Sequence, residues 1–358
     1  MINVTKSFVP PLTEYTALLE RVWSNVQFTN RGELVRELEG KLKKYLGVEH
    51  LTLTANGTLP LHIALRALDI TGEVITTPFS YIASTSCIVW ERCTPIFVDI
   101  DPIHLTIDEN KIEEAITTKT SAILATHVFG NPAAVEKIET LAKKYNLKVI
   151  YDAAHSFGVN YKGKSIFNYG DVSTCSFHAT KIFHTGEGGC WITNNEALQQ
   201  KLYSHHNFGH KGKEDFQGLG LNAKMSELQA AMGLTVYNYI DEIILNRRTA
   251  VQLYNEHFKN ENRIQTLTIR EGTDWNFHYY PLIFENRKTL FRTVEKLNEK
   301  NIFPRRYFYP SLNLLSHVQS EKMANSERIS QTILCLPLSS YISAGEVSLI
   351  ANIIIENL

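Results

Sequence analysis

Two residues have the type and the setting for chemistry. Lys181 ends the run Ser176-Phe-His-Ala-Thr-Lys181, just past a strand-like stretch at residues 174–177, and Asp152 directly follows a buried-type strand pattern at 148–151. A lysine becomes a nucleophile when burial and neighbours lower its pKa. The same amine can then carry a proton between two carbon atoms. Around this pair lie an anion site and a flat surface. Asn56-Gly57-Thr58 opens a helical pattern at 59–68, where backbone N–H groups and the positive helix end attract phosphate. Ser176 can add a hydroxyl to that phosphate. Tyr81, after the strand-like residues 74–77 and Pro78, can lay its ring against a planar ligand.

An amine for a Schiff base, an acid for a ring nitrogen, donors for a phosphate and a face for a ring are what pyridoxal phosphate (PLP) asks of a protein. Each candidate alone has an ordinary alternative: a solvated lysine, a turn or capping aspartate, an N-cap, a core tyrosine. Their combination after successive strands points to PLP, held by Lys181.

The elements that must position them alternate along the chain. Residues 33–46 carry apolar side chains at helical spacing (Leu34, Leu38, Leu42, Tyr45, Leu46) and stop at Gly47. Strand-like runs follow at 51–54, 74–77, 96–98, 123–126 and 148–151, interleaved with helix-like segments such as 59–68 and 133–145. This predicts an α/β fold with a mostly parallel central sheet and helices on both faces. In such sheets ligands bind outside the carboxyl ends of the strands. A Gly-rich stretch at 184–189 leads to a strand-like run at 190–193, then to helix patterns at 196–203 and 224–237. The alternation stops near 240–250, and strand-like 277–283 with helix-like 288–300 indicates a smaller unit. We expect a large α/β domain over 1–240 and a smaller C-terminal α+β domain over 241–358.

Composition excludes other classes. Lys plus Arg number 36 against 37 acidic residues, so no global field recruits nucleic acid or an anionic membrane. No apolar run approaches the roughly 20 residues of a membrane helix, and the first residues lack a signal-peptide pattern. The five cysteines (Cys87, Cys93, Cys175, Cys190, Cys335) are scattered without CxxC spacing. That fits reduced thiols in a cytoplasmic protein, with no metal site expected. Gly158-Val-Asn-Tyr-Lys-Gly163-Lys164-Ser165 matches the phosphate-loop pattern of nucleotide hydrolases, but turn chemistry rather than a helix start follows it. Lys162-Gly163-Lys164 reads instead as a hairpin tip. Gly218-Leu-Gly220-Leu-Asn-Ala223 fits a loose dinucleotide fingerprint, yet no buried strand precedes it.

The chain resembles the DegT/StrS family of PLP-dependent sugar aminotransferases, fold type I. The resemblance runs from Thr29-Asn-Arg-Gly32 to Leu334-Cys-Leu-Pro-Leu338. Its blocks begin with Asn56-Gly-Thr58 with Leu61-His-Ile-Ala-Leu65, Thr77-Pro-Phe-Ser-Tyr-Ile-Ala83 and Asp152-Ala-Ala-His155. Gly170-Asp171, Ser176-Phe-His-Ala-Thr-Lys181 with Gly186-Glu-Gly-Gly189, and Gly220-Leu-Asn222 with Ser226-Glu-Leu-Gln-Ala230 complete the series.

The resemblance implies roles. Lys181 holds the cofactor covalently, Asp152 pairs with the pyridine nitrogen, and His155 lies near the ring hydroxyl. Asn56, Gly57, Thr58 and Ser176 form the phosphate site, and Tyr81 stacks on the ring. Asn222 reaches the phosphate of the other subunit's cofactor, which implies a homodimer with active sites at the subunit interface. L-Glutamate is the implied donor in a ping-pong reaction, and a nucleotide-linked keto-sugar the acceptor. His178-Ala-Thr-Lys181-Ile-Phe-His184 with Glu187-Gly-Gly is similar to enzymes acting at C4 of dTDP-4-keto-6-deoxy-D-glucose. Substrate contacts are then expected at Asn30, His184, Arg305, Arg306 and Tyr309, in a wide and partly solvent-facing site. Relatives acting at C3, on UDP- or GDP-sugars or on inositol-type ketones share these motifs. Relatives that remove oxygen replace the lysine with histidine, and this chain keeps Lys181.

Overall fold

The structure is a computed structural model and describes residues 1–216, 218–318 and 320–358. The central sheet is built from β1 (His50–Thr54), β2 (Glu73–Thr76), β3 (Thr94–Phe97), β4 (Thr120–Thr126), β5 (Lys148–Asp152), β6 (Val172–Ser176) and β7 (Gly189–Thr193). Their order is β1-β7-β6-β5-β4-β2-β3. All pairings are parallel except those of β7, which runs against both neighbours. The excursion 177–188 between β6 and β7 contains no helix, so the chain reverses there instead of crossing over.

Helices α1 (Leu12–Asn25), α2 (Glu33–Leu46), α3 (Leu59–Ala67), α4 (Ile82–Trp90), α5 (Val135–Tyr145), α6 (Glu196–His206) and α7 (Glu227–Tyr237) surround the sheet. Strand alternation sorts side chains between two cores: Ile123, Ala125, Val149 and Tyr151 pack on one face with α2, α5 and α7. Ala122, Leu124 and Ile150 pack on the other with α3 and α4. A sheet covered on both faces makes strands apolar at consecutive positions, which is why these runs read as continuous rather than alternating.

α2 shows how its ends are set. Its apolar side buries Leu34, Leu38, Leu42 and Leu46, and Gly47 closes it at φ 62°, a left-handed conformation suited to glycine. At the other end the buried Glu227 carboxylate accepts from Leu34 N at 2.7 Å and Val35 N at 3.3 Å. Free N–H groups and the helix dipole favour such a carboxylate.

The C-terminal part holds α8 (Ile240–Phe258), α9 (Arg287–Glu299), α10 (Ala324–Thr332) and α11 (Ala344–Glu356). Its antiparallel sheet has the order β8 (Ile264–Thr266), β9 (Tyr280–Phe284), β10 (Ile333–Leu336). Where the strand–helix alternation stops near 240–250, α8 runs for 19 residues. β9 begins at Tyr280 rather than at 277, because Phe277 sits at φ 55° and the Phe277 and His278 carbonyls accept from the Arg247 guanidinium instead of a neighbouring strand. The buried Asp99 carboxylate receives Asn325 N, Ser326 N and Ser326 Oγ at 2.6–2.8 Å, capping α10 from the main sheet.

The phosphate-loop lookalike is a hairpin. Asn160–Tyr161 pairs with Lys164–Ser165, and the tip residues Lys162 and Gly163 take φ 50° and 75°, as a two-residue turn of this hand requires. Gly218 and Gly220 lie in irregular chain, and the next helix starts only at Glu227. Among the described residues no helix is long and apolar enough to cross a membrane.

Candidate active site

A cavity of about 390 Å³ opens beyond the carboxyl ends of the parallel strands. Asn56, Gly57 and Thr58 reach it from the end of β1, Tyr81 from beyond β2, Asp152 from β5, Ser176 from β6, and Lys181 from the excursion that follows. His155 and Arg305 line it too. Residues expected to act together, drawn from five separate segments, therefore share one cavity.

Asp152 is fixed from two sides. Its Oδ2 accepts from the buried Ser84 hydroxyl at 2.6 Å, and its Oδ1 from Ala154 N at 3.1 Å. An acceptor held in this way presents negative charge at a set point in the cavity. Lys181 is partly buried. Loss of hydration pulls its amine down to about 8, against the opposing pull of the Asp152 charge. Its loop is closed on itself: Phe177 N donates to Gly188 O at 2.8 Å, Thr185 N to Phe177 O at 3.0 Å, and Lys181 N to His178 O at 2.8 Å.

The anion cradle differs from the expectation in detail. Asn56 Oδ1 accepts from Thr58 N and Leu59 N at 2.9 and 3.0 Å, so the first turn of α3 is largely satisfied within the chain. What remains is Gly57 N with the hydroxyls of Thr58 and Ser176. The cradle has no room for a side chain: a Cβ on Gly57 would lie 2.6 Å from Ser176 Cβ. Thr126 Oγ1 lines the cavity, is buried, and has no hydrogen-bond partner among the described residues. An orphaned hydroxyl, a fixed carboxylate and a small-residue cradle in one cavity fit a phosphorylated aromatic ring.

His155 is buried and neutral, its pKa driven well below the usual value by burial and then by Lys181. Its Nδ1 accepts from Phe129 N at 3.2 Å, so the ring proton resides on Nε2. Phe129 and Phe308 lie parallel to it at 6.2 and 5.8 Å between centroids. Tyr81 lines the cavity with 57% of its surface exposed.

Five expected residues do not line this cavity. His184 is buried, with Nδ1 accepting from Gly186 N and Nε2 donating to Phe8 O at 2.7 Å; both ring nitrogens are used within the chain. Arg306 donates to Ser330 O and lies 3.5 Å over the Tyr309 ring, so this pair is turned to each other. Asn30 is exposed at φ 62°, and Asn222 is exposed beside Asn207.

Reading residues alone missed Ser84, Thr126, His178, Thr180 and Glu187, and the wall made by Tyr279, Tyr307 and Phe308. Ser84 stands one turn after Tyr81 on α4, a spacing that could have flagged it. Nothing local marks Tyr279, Tyr307 or Phe308, which arrive from the C-terminal part.

The sequence profile of the DegT/DnrJ/EryC1/StrS aminotransferase family matches residues 13–355. The chain belongs to the DegT/DnrJ/EryC1/StrS aminotransferase family. Members of this family are PLP-dependent aminotransferases, and the chain is an aminotransferase. It is 40% identical to the dTDP-4-amino-4,6-dideoxy-D-glucose transaminase of Shigella dysenteriae, over 99% of this chain and 98% of that one. The Escherichia coli protein of the same name is 38% identical over 94% and 93%. Among solved structures, DesI in the presence of its TDP-sugar product superimposes with a TM-score of 0.93 at 29% identity, covering 98% of this chain and 91% of that one.

Proposed function

We propose that this family member is a PLP enzyme that transfers the amino group of L-glutamate to the C4 ketone of dTDP-4-keto-6-deoxy-D-glucose, giving dTDP-4-amino-4,6-dideoxy-D-glucose. The observation that carries the chemistry is the meeting of Lys181 and Asp152 in one cavity with a small-residue anion cradle. Likeness to the Shigella dysenteriae and Escherichia coli transaminases along nearly the whole chain supports the substrate.

PLP, when bound, supplies a conjugated ring that draws electrons away from the carbon bearing the amine. The chain's residues do the rest. Asp152 accepts the hydrogen bond of a protonated ring nitrogen, and His155 donates from Nε2 toward the ring hydroxyl. Gly57 N–H and the hydroxyls of Thr58 and Ser176 hold the phosphate, and Tyr81 covers one ring face. Lys181 Nζ would tether the cofactor and, once displaced by the incoming amine, would move a proton from Cα of glutamate to the carbon it had been bonded to, and in the second half-reaction from that carbon to C4 of the sugar. Arg305, a cation on the cavity wall, contacts the diphosphate.

The same proposal includes a homodimer and a cytoplasmic location. Asn222 would serve the partner's phosphate site, and exposed Trp23, Phe28, Phe208, Phe216 and Leu219 supply apolar area for a second copy. It keeps the division into 1–240 and 241–358; one apolar core is drawn from residue 250 onward, another from 22 to 243.

The test is an absorption spectrum of the purified protein before and after L-glutamate, followed by dTDP-4-keto-6-deoxy-D-glucose and mass analysis of the product. A cofactor band that changes with glutamate, with a C4 amino sugar formed, supports the reading. A protein that stays colourless with added PLP overturns it; amination at C3, or only of a UDP- or GDP-sugar, moves the substrate within the same chemistry.

A further inference from the structure

Arg247 of α8 is buried and meets no carboxylate among the described residues. Its Nε donates to Phe277 O at 3.1 Å and its Nη2 to His278 O. A guanidinium taken out of water and held only by carbonyls is costly, and burial lowers its pKa to about 10. It stays charged at neutral pH, so the segment it grips is ordered at considerable expense.

That segment reaches into the main domain. His278 is fully buried, and its Nδ1 donates to His155 O at 3.0 Å. Asn276 Nδ2 donates to the same carbonyl at 2.8 Å and to Phe157 O at 2.9 Å. The next residue, Tyr279, lines the cavity with its ring 4.9 Å from that of His155. His155 is thus held at its carbonyl by the C-terminal part and at Nδ1 by Phe129 N. Only Nε2–H is left to face a ligand.

We propose that Arg247 and His278 are positioning residues for the active site: through His278 they hold His155 with Nε2–H directed at the cofactor's ring hydroxyl. This rests on the function proposed above. Arg247 orients the 277–278 carbonyls, which aims the Asn276 and His278 side chains at His155 O. The contact couples the C-terminal part to cofactor geometry without touching substrate.

The test uses the full-length chain with His278→Phe, which keeps a ring and removes the donor, and His278→Asn, which restores an N–H. Arg247→Met and Arg247→Lys form the second pair. Phe129 N still holds Nδ1 in His278→Phe, so histidine ¹⁵N shifts of the apoprotein should report the Nε2–H tautomer of His155 in both proteins, with the Nε2–H resonance moved and broadened in His278→Phe as the ring loses its fixed position. In the holoenzyme the cofactor band should shift, and kcat should fall roughly tenfold to a hundredfold, as for a small misplacement of a reacting group. The KM for L-glutamate should stay within about twofold, and His278→Asn should recover most of the loss. A folded His278→Phe protein with the parental His155 Nε2–H resonance, band and kcat would overturn the proposal, even if Arg247→Met fails to fold. A parent enzyme with no cofactor band would overturn the proposed function instead, and the apoprotein shifts distinguish the two failures.

Discussion

The Ser84 hydroxyl donates to Asp152 Oδ2 at 2.6 Å, so α4 holds the carboxylate that the end of β5 presents. Both residues are buried. Ser84→Ala leaves that oxygen without its donor. We expect a loss of about 2 kcal/mol in unfolding free energy, the usual value for a hydrogen bond to a charged group. PLP should also bind more weakly, as measured by fluorescence titration, with less effect than Asp152→Ala.

Lys181→Ala should fold, because only the side chain leaves and the loop's backbone bonds remain. It should bind PLP without a covalent link and lose transamination almost completely. Borohydride treatment followed by peptide mass analysis should find the cofactor on the Lys181 peptide of the parent and on no peptide of the variant.

The Lys181 amine, lowered to about 8, gives a pH signature. Below that value it is protonated and cannot attack an aldehyde; above it the neutral amine predominates. The rate at which apoprotein takes up PLP covalently should therefore rise through pH 8 and then level off. An amine at the ordinary lysine value would keep accelerating well into the alkaline range. Stopped-flow absorbance distinguishes the two curves.

Gly57→Ala inserts a methyl group 2.6 Å from Ser176 Cβ and 2.9 Å from its Cα. Backbone must move, and overpacking of this kind costs about 1–3 kcal/mol. Because the shift falls on the anion cradle, affinity for PLP should drop more than in Thr58→Ala, which removes one hydroxyl and keeps the shape. Inorganic phosphate should compete with PLP in the parent and lose that effect in Gly57→Ala.

The cavity's strand-borne half was legible because its parts follow local rules. A lysine or an acid just past a strand, and a small-residue turn before a helix, can be read from a few neighbours, and Lys181, Asp152 and Gly57 were. His184 was expected from the motif it shares with similar enzymes; only the fold reveals that Phe8 O, far away in sequence, has taken its Nε2. Tyr279 and Phe308 were invisible for the complementary reason. They come to the cavity through the packing of a second unit, and long-range placement leaves no local period. α8 was obscured by Arg247, a charged residue on what proves to be its buried side, which breaks the apolar stripe.

The self-closed excursion between β6 and β7 divides the cavity into parts with different freedom to vary. His178, Thr180, Glu187 and Lys181 ride on one short, internally bonded piece of chain, so lengthening it or re-bending it displaces the amine with the rim. Arg305 and Tyr307 belong to another piece, joined to β10 by the pairing of Arg305 with Cys335. If the proposed function holds, drift in acceptor preference among descendants of this protein has its open route there, where a side chain can change while the Lys181 nitrogen keeps its address.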